Sequence, residues 1–508
     1  MRLGVDFGTT RTTVAQVDRG NYPVVAFDDD NGDVQEYIPS VAALDGDRLV
    51  YGFRALHLAL EGAPHLRSFK RLLADPEVTP ATTVRLGNRD IGVLRMITGF
   101  LAHVAQSVRT GSSVSEVPAQ EPLEAVIGIP AHAYSAQRFL TLEAFRDADF
   151  EVLAMVNEPS AAGFEYTHRH GATINTRRRR VLVYDLGGGT FDVSLVSVDG
   201  TSHEVLGSRG NNLLGGDDFD EVLARLAAEQ ARTSPADLGE VAWQSLVDSA
   251  RSAKESLNPR SHWLTLEVAG EPVTVDVAHY YEAVEPLIAS TVTTMEPLTQ
   301  RLDDGTHGLA ADVAGLYVVG GGSELPAITR QLRLRFGRRV HRSPHSAAST
   351  AIGLAIAADR DAGYTLRDQL SRGVGVFRER ESGAVVSFDT LLSPELRVST
   401  SQAVSVSRTY RAAHNIGWFR FVEYTTTDDE GVPRGDVLPY GEIAFPFDPL
   451  LQGLGSSVPL ADVEVRRTED GPMVRERYTV DPHGIVEVSI TDLGTGYSLT
   501  RSLGELQD

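Results

Sequence analysis

Asp185-Leu-Gly187-Gly188-Gly189-Thr190-Phe-Asp192 packs acids, glycines and a hydroxyl into one short stretch. Glycines let backbone N–H groups approach a bound anion, and successive N–H groups form a nest that suits phosphate. The Thr190 hydroxyl can join them. Asp185 and Asp192 would repel phosphate unless a cation lies between, so the pattern calls for a nucleotide with Mg²⁺ held largely through water. Asp6-Phe-Gly8-Thr9-Thr10 repeats the layout near the start of the chain. Either copy alone reads as a Gly-rich hairpin; the pair is far more specific. Of 47 Lys and Arg residues only Lys70 and Lys254 are lysine. A lysine kept in so Arg-rich a chain marks a place for a compact point charge where a planar fork does not fit.

Strands must carry both turns. Val181 to Val183 is an apolar run entering the second turn, and Phe191 to Val196 leaves it with apolar residues at alternate positions. The first copy has the same plan, and the second strands close on Val17-Asp18 and Val198-Asp199. Two strand–turn–strand units predict an internally duplicated α/β ATPase with two phosphate loops facing one cleft. Around them strands alternate with helices: strand Leu123–Pro130, helix Ser135–Phe145, strand Val152–Val156 and a helix opening at Asn157. Further helices are expected at Ser68–Leu73, Asp90–Thr110, Ser245–Leu257 and Ala347–Ala358. Ser112–Gln120 reads as a polar loop, Asp28–Asp33 as a hairpin tip and Arg177–Arg180 as a solvated hairpin edge. Gly215-Gly216-Asp217 opens another helix and could be a plain N-cap.

The texture changes near residue 360. Residues 1–360 read as the ATPase domain, 361–372 as a linker and 373–508 as an all-β domain. Short alternating runs carry that last assignment: Ala384–Phe388, Ala403–Val406, Trp418–Val422, Ile443–Phe445, Val463–Val465 and Ile485–Ile490. They predict an antiparallel sandwich. About ten residues follow the last strands, so no helical subdomain is expected after them. The net charge of −22 argues against non-specific nucleic-acid binding. The absence of cysteine removes disulfides, thiolate metal sites and thiol nucleophiles. No membrane span and no signal peptide are expected, and a cytoplasmic protein fits best.

Together these stretches resemble the DnaK-type seventy-kilodalton heat-shock chaperone family. The motifs that carry the resemblance are Val5–Thr10, Phe69-Lys70-Arg71-Leu72, Ile129-Pro130 with Ala136-Gln137-Arg138, Asn157–Ala162, Asp185–Asp192, Gly215–Asp220 and Val319-Gly320-Gly321. The resemblance implies an actin-like, duplicated ribonuclease-H-like ATPase domain followed by a β-sandwich that grips extended or unfolded polypeptide. It implies ATP or ADP with Mg²⁺, ATP hydrolysis in protein folding and the stress response, and J-domain and nucleotide-exchange partners. By the same resemblance Asp6 and Asp185 would organise Mg²⁺ through water. Gly8, Thr9, Thr10, Gly187, Gly188, Gly189, Thr190, Gly215, Gly216, Asp217, Lys254, Gly320 and Gly321 would hold the nucleotide. Lys70, Glu158, Asp192 and Thr190 would serve hydrolysis, and Pro130 and Arg138 would relay nucleotide state. In the β domain Trp418, Phe419 and Phe421 are the first candidates for a peptide groove.

The chain departs from the family pattern around the adenine. Glu324 stands where an Arg is usual and Arg251 where a Glu is usual, with Glu255 and Asn258 beside Lys254. This looks like an exchange, and the two residues are expected to face each other. The linker stretch Tyr364–Leu370 is much less apolar than the family's leucine run. A nucleotide-gated interaction protein with weak or no ATPase activity is therefore the alternative. A sugar or acetate kinase on the same fold is disfavoured by the Lys70 and Glu158 motifs and by the β domain.

Overall fold

A computed structural model describes residues 1–508 apart from 115, 116, 119, 304, 371, 381–384, 400, 401, 455–458 and 505–508. Ala384 and part of the expected 112–120 loop thus lie outside the described residues. The chain divides into two compact units. The first comprises Met1–Ala74, Thr83–His132 and Ala144–Thr365; the second comprises Asp75–Thr82, Ala133–Glu143 and Leu366–Asp508.

The first unit repeats one sheet plan. In the first sheet Arg2–Phe7 forms an antiparallel hairpin with Arg11–Gln16 and lies parallel to Leu123–Ile129, which is parallel to Phe150–Asn157. In the second, Arg180–Leu186 forms a hairpin with Phe191–Asp199 and lies parallel to Val313–Val319, which is parallel to Val340–Arg342. The parallel strands are runs such as Val-Ala-Gly-Leu-Tyr-Val-Val, buried at every position, as a strand covered on both faces requires. The helices Glu158–His170 and Ser349–Ala358 cross closely, because a Cβ on Gly353 would fall 1.8 Å from the Ala161 carbonyl oxygen. That contact explains the small residues of both.

Three expected elements differ. The helix predicted from Asp90 begins at Val93, because Arg89–Gly92 pairs as a strand with Thr83–Leu86. The helix bearing Lys70 is a 3₁₀ helix, Phe69–Ala74. The helix bearing Lys254 is longer than expected, Pro235–Glu255, with a break at Gly239 where φ is 75°.

The second unit holds two four-stranded antiparallel sheets. One runs Val385–Leu392, Gly373–Arg380, Ile416–Tyr424, Leu438–Pro446; the other runs Val404–Arg411, Met473–Val480, Val486–Asp492, Ser498–Ser502. Their inner faces share one apolar core, including Val376, Phe421, Phe445, Tyr478 and Val488. Inside it Arg378 bonds Asp389 at 2.7 Å and Glu476 at 3.1 Å, and the Tyr410 and Tyr478 hydroxyls donate to Glu476. A buried pair needs such full hydrogen bonding to offset its desolvation. The Gly373–Arg380, Met473–Val480 and Ser498–Ser502 strands were not among the expected runs. The expected strand Val463–Val465 is absent: the Asn415 side chain bonds the Glu464 carbonyl and the Arg466 N–H, and so takes the place of a ladder partner. Within the stretch expected as a linker, Arg367–Gln369 pairs with Arg397–Ser399. Among the described residues no helix is long and apolar enough to cross a membrane.

Candidate functional site

Each hairpin carries an acid next to its glycine turn, because an Asp is the last residue but one of each apolar strand. Asp6 precedes Phe7 in the first strand, and Asp185 sits directly across its hairpin from Asp192. The two turns face each other: a Cβ on Gly188 would meet the Thr10 methyl at 2.6 Å, and one on Gly189 would meet Thr9 at 2.8 Å. Gly320 follows Val319 with φ of 84°, and a Cβ there would lie 2.4 Å from Asp185 Oδ1. Only glycine fits that conformation and that approach.

Lys70 and Glu158 complete the cluster. Lys70 Nζ donates to Glu158 Oε1 at 2.8 Å, and both side chains are buried. Burial, reinforced by the Glu158 charge, pushes Asp6 up to about 7 and Asp192 up to about 8. Burial likewise raises Asp185, with Glu158, Asp6 and Asp192 adding to it. Burial pulls the Lys70 ammonium down, but Glu158 and Asp6 outweigh it and its pKa rises. Asp192 Oδ1 accepts from the Ala131 N–H at 3.1 Å, while the buried Oδ2 has no hydrogen-bond partner. Asp6, Asp185, Asp192 and Glu158 set hard oxygen donors around one ammonium, one of them an orphaned acceptor, and such donors suit Mg²⁺. Among the described residues no three His, Cys, Asp or Glu side chains converge closely enough to form a metal site.

A cavity of about 1020 Å³ opens in front of this cluster. Asp6, Gly8, Thr10, Glu158, Asp185, Gly187, Gly188, Gly320 and Gly321 line its floor. Thr9, Gly189, Thr190, Lys70 and Asp192 are not among the lining residues. Gly216, Asp217 and Lys254 also face the cavity, yet much of their bonding is internal. The Gly216 and Asp217 N–H groups donate to the Gly187 and Gly188 carbonyls at 2.9 and 2.8 Å, and the Gly215 N–H donates to Asp218. This is the plain helix start, and it ties the Gly216–Gln230 helix to the second turn. Lys254 Nζ donates to the Gly216 carbonyl at 2.7 Å and pairs with Asp220 at 2.6 Å.

The expected face-to-face pairing of Arg251 and Glu324 does not form. Arg251 pairs with Asp217 at 2.8 Å and Asp220 at 3.2 Å, whereas Glu324 pairs with Arg342 at 3.3 Å. Both line the cavity, but each has a nearer opposite charge. Glu255 pairs with Arg11, and Asn258 lines the same wall.

The remaining candidates lie elsewhere. Pro130 follows the Leu123–Ile129 strand and does not line the cavity. Arg138 belongs to the second unit, where its Nη1 donates to the His483 carbonyl at 3.2 Å and burial lowers its pKa. Phe419 and Phe421 are buried in the sandwich core with their rings stacked 6.2 Å apart, so neither can line a groove. Side chains alternate along a strand, so Trp418 points to the other face, where it is 37% exposed. Ser40 was missed: its N–H donates to the Thr10 carbonyl at 3.0 Å and its hydroxyl to the Gly8 carbonyl at 2.9 Å. Thr350 was also missed; its hydroxyl donates to Asp185 at 3.4 Å. Neither has a local sequence signal, because both act on turns far away in the chain.

A family model described as Hsp70 protein matches residues 99–370, more than half of the 508. The matched span contains the second hairpin, Glu158, Lys254 and Gly320, and begins after the first hairpin and Lys70.

Proposed function

The chain belongs to the Hsp70 family, and from that premise we propose that it hydrolyses Mg-ATP in the first unit and binds extended polypeptide segments through its β-sandwich. Family membership itself carries a chaperone-type nucleotide-binding function and an actin-like ATPase fold. The observation that carries the rest is the buried Lys70–Glu158 pair set among Asp6, Asp185 and Asp192 behind two facing glycine turns.

Phosphoryl transfer needs positioning and charge neutralisation more than covalent help. A hydrated Mg²⁺ held by Asp6 and Asp185 would neutralise charge on the β- and γ-phosphates. Gly8, Thr10, Gly187 and Gly188 would cradle those phosphates. The free Oδ2 of Asp192 would orient the attacking water, whose oxygen bonds to the γ-phosphorus as the bond to the bridging oxygen breaks. Lys70 would stabilise the charge that develops, with Glu158 holding its ammonium in place. For the sandwich, the exposed Trp418 is the remaining aromatic candidate for peptide contact. J-domain and nucleotide-exchange proteins are the proposed partners.

Steady-state phosphate release with and without an unfolded peptide tests this. Turnover that rises with peptide supports it. Tight nucleotide binding without turnover would favour the nucleotide-gated interaction protein, a reading supported by the altered Arg251 and Glu324 positions.

A further inference from the structure

Six cationic side chains line the nucleotide cavity: Arg11, Arg251, Lys254, Arg330, Arg333 and Arg342. Four are neutralised by carboxylates, namely Arg11 by Glu255, Arg251 by Asp217, Lys254 by Asp220 and Arg342 by Glu324. Arg330 and Arg333 have no carboxylate partner among the described residues. They stand three apart on the Pro326–Phe336 helix, and so on one face of it. Phosphates must lie against the glycine turns, which leaves the wall built by this helix and by Leu257–Ser261 for the nucleoside. Leu257, Pro259 and Tyr281 add apolar and aromatic surface to that wall. Arg330 lies close enough to Tyr281 for its charge to act on the phenol, opposing the effect of burial.

We propose that Arg330 and Arg333 recognise the base of the nucleotide, their planar guanidinium groups stacking on a purine. Glu324 cannot stack on the base as a cation does, and its charge is spent on Arg342. A guanidinium is weakly hydrated and flat, so it stacks where an ammonium does not. The inference rests on the nucleotide-binding reading and extends it to base selection.

Calorimetric titration of wild type, the Arg330→Ala/Arg333→Ala variant and the Arg330→Lys/Arg333→Lys variant tests it, with Mg-ATP, Mg-CTP and inorganic tripolyphosphate as ligands. Each lost cation–π contact at an exposed site weakens binding about 2- to 5-fold, so the double Ala variant loses about 5- to 30-fold in ATP affinity. The loss is smaller for CTP and absent for tripolyphosphate, and the Lys variant does not recover it. Equal losses for ATP and tripolyphosphate would mean the arginines serve the phosphates, and would overturn the proposal. Full recovery in the Lys variant, or unchanged ATP affinity in the Ala variant, would overturn it as well. A wild-type protein that binds none of the three ligands would instead overturn the nucleotide reading, and base selection with it.

Discussion

Lys70 is held at 2.8 Å from Glu158 in a buried site that rewards a compact charge. Lys70→Ala should cut hydrolysis by about 10²-fold or more, in line with the loss of a charge-stabilising donor, while nucleotide affinity stays close to wild type. Lys70→Arg should not rescue, because the planar fork does not fit a point-charge site. Single-turnover kinetics would check both; near-normal turnover in the Ala variant would remove Lys70 from the mechanism, and in the Arg variant would refute the point-charge argument. His203 offers a second residue-level prediction. It stacks on Phe164 at 4.7 Å, and the Thr167 hydroxyl, which donates to the Gly163 carbonyl, must accept from Nε2–H of the ring. Nδ1 is left without a hydrogen-bond partner. Burial lowers the pKa of the ring from 6.5 to about 4. Above pH 6.5 the ring is neutral in both folded and unfolded chains and contributes no pH dependence. As pH falls towards 4 only the unfolded chain takes up the proton, so stability drops by on the order of 3 kcal/mol. His203→Gln lacks this penalty, so its melting temperature should lie below wild type at pH 8 and the gap should narrow by pH 5. A pH-independent gap would contradict this account.

At the scale of elements, the site is made by two hairpins and by the turn after Val319. The strands bring Asp6 and Asp185 to within one residue of their ends, and the turns bring the backbone of Gly188 against Thr10. Gly320 is where this arrangement has least slack. A methyl group there would meet the Leu186 carbonyl at 2.3 Å and Asp185 at 2.4 Å, in a conformation with φ of 84°. Gly320→Ala should therefore destabilise the first unit by more than about 1 kcal/mol and displace Asp185. The expected readout is a lower melting temperature together with weaker Mg-dependent nucleotide binding. Loss of stability with normal nucleotide affinity would show that Asp185 is not placed by this turn.

At the scale of the whole molecule, the proposed chaperone reading requires nucleotide state to alter peptide binding. In the family that coupling runs through an apolar linker, whereas the corresponding stretch here is Tyr364-Thr-Leu-Arg-Asp-Gln-Leu370. On the proposed reading, charged and polar side chains would gain little from docking into an apolar groove, so the two nucleotide states should differ by few contacts. ATP should then change the affinity for an unfolded peptide by less than about 5-fold, below the usual range for allosteric coupling. Peptide anisotropy with Mg-ADP and with Mg-ATP would measure it. An off-rate accelerated several-hundred-fold by ATP would show that this polar stretch, paired over Arg367–Gln369 with Arg397–Ser399, carries the full switch.

Much of the site was legible in the chain itself. Both hairpins, the parallel strands and the order of acid, glycine and hydroxyl are local patterns, set by side-chain alternation and turn chemistry over a few residues. The glycines and lysines carried signal because each type does something its neighbours in composition cannot. What stayed hidden depended on groups far apart in sequence. Arg251 and Glu324 were a plausible pair by type, yet the helix beginning at Gly216 puts Asp217 and Asp220 nearer to Arg251, and Arg342 is nearer to Glu324. Trp418, Phe419 and Phe421 were groove candidates together, but packing against the second sheet puts Phe419 and Phe421 in the core and leaves Trp418 on the other face. Val463–Val465 alternates as a strand would, and the Asn415 side chain claimed its neighbouring backbone groups. Ser40 reaches the first turn across 32 residues to Gly8. Periodicity acts along the chain and can be read there; charge pairing and burial act through space, and distances across space exist only once the chain has folded.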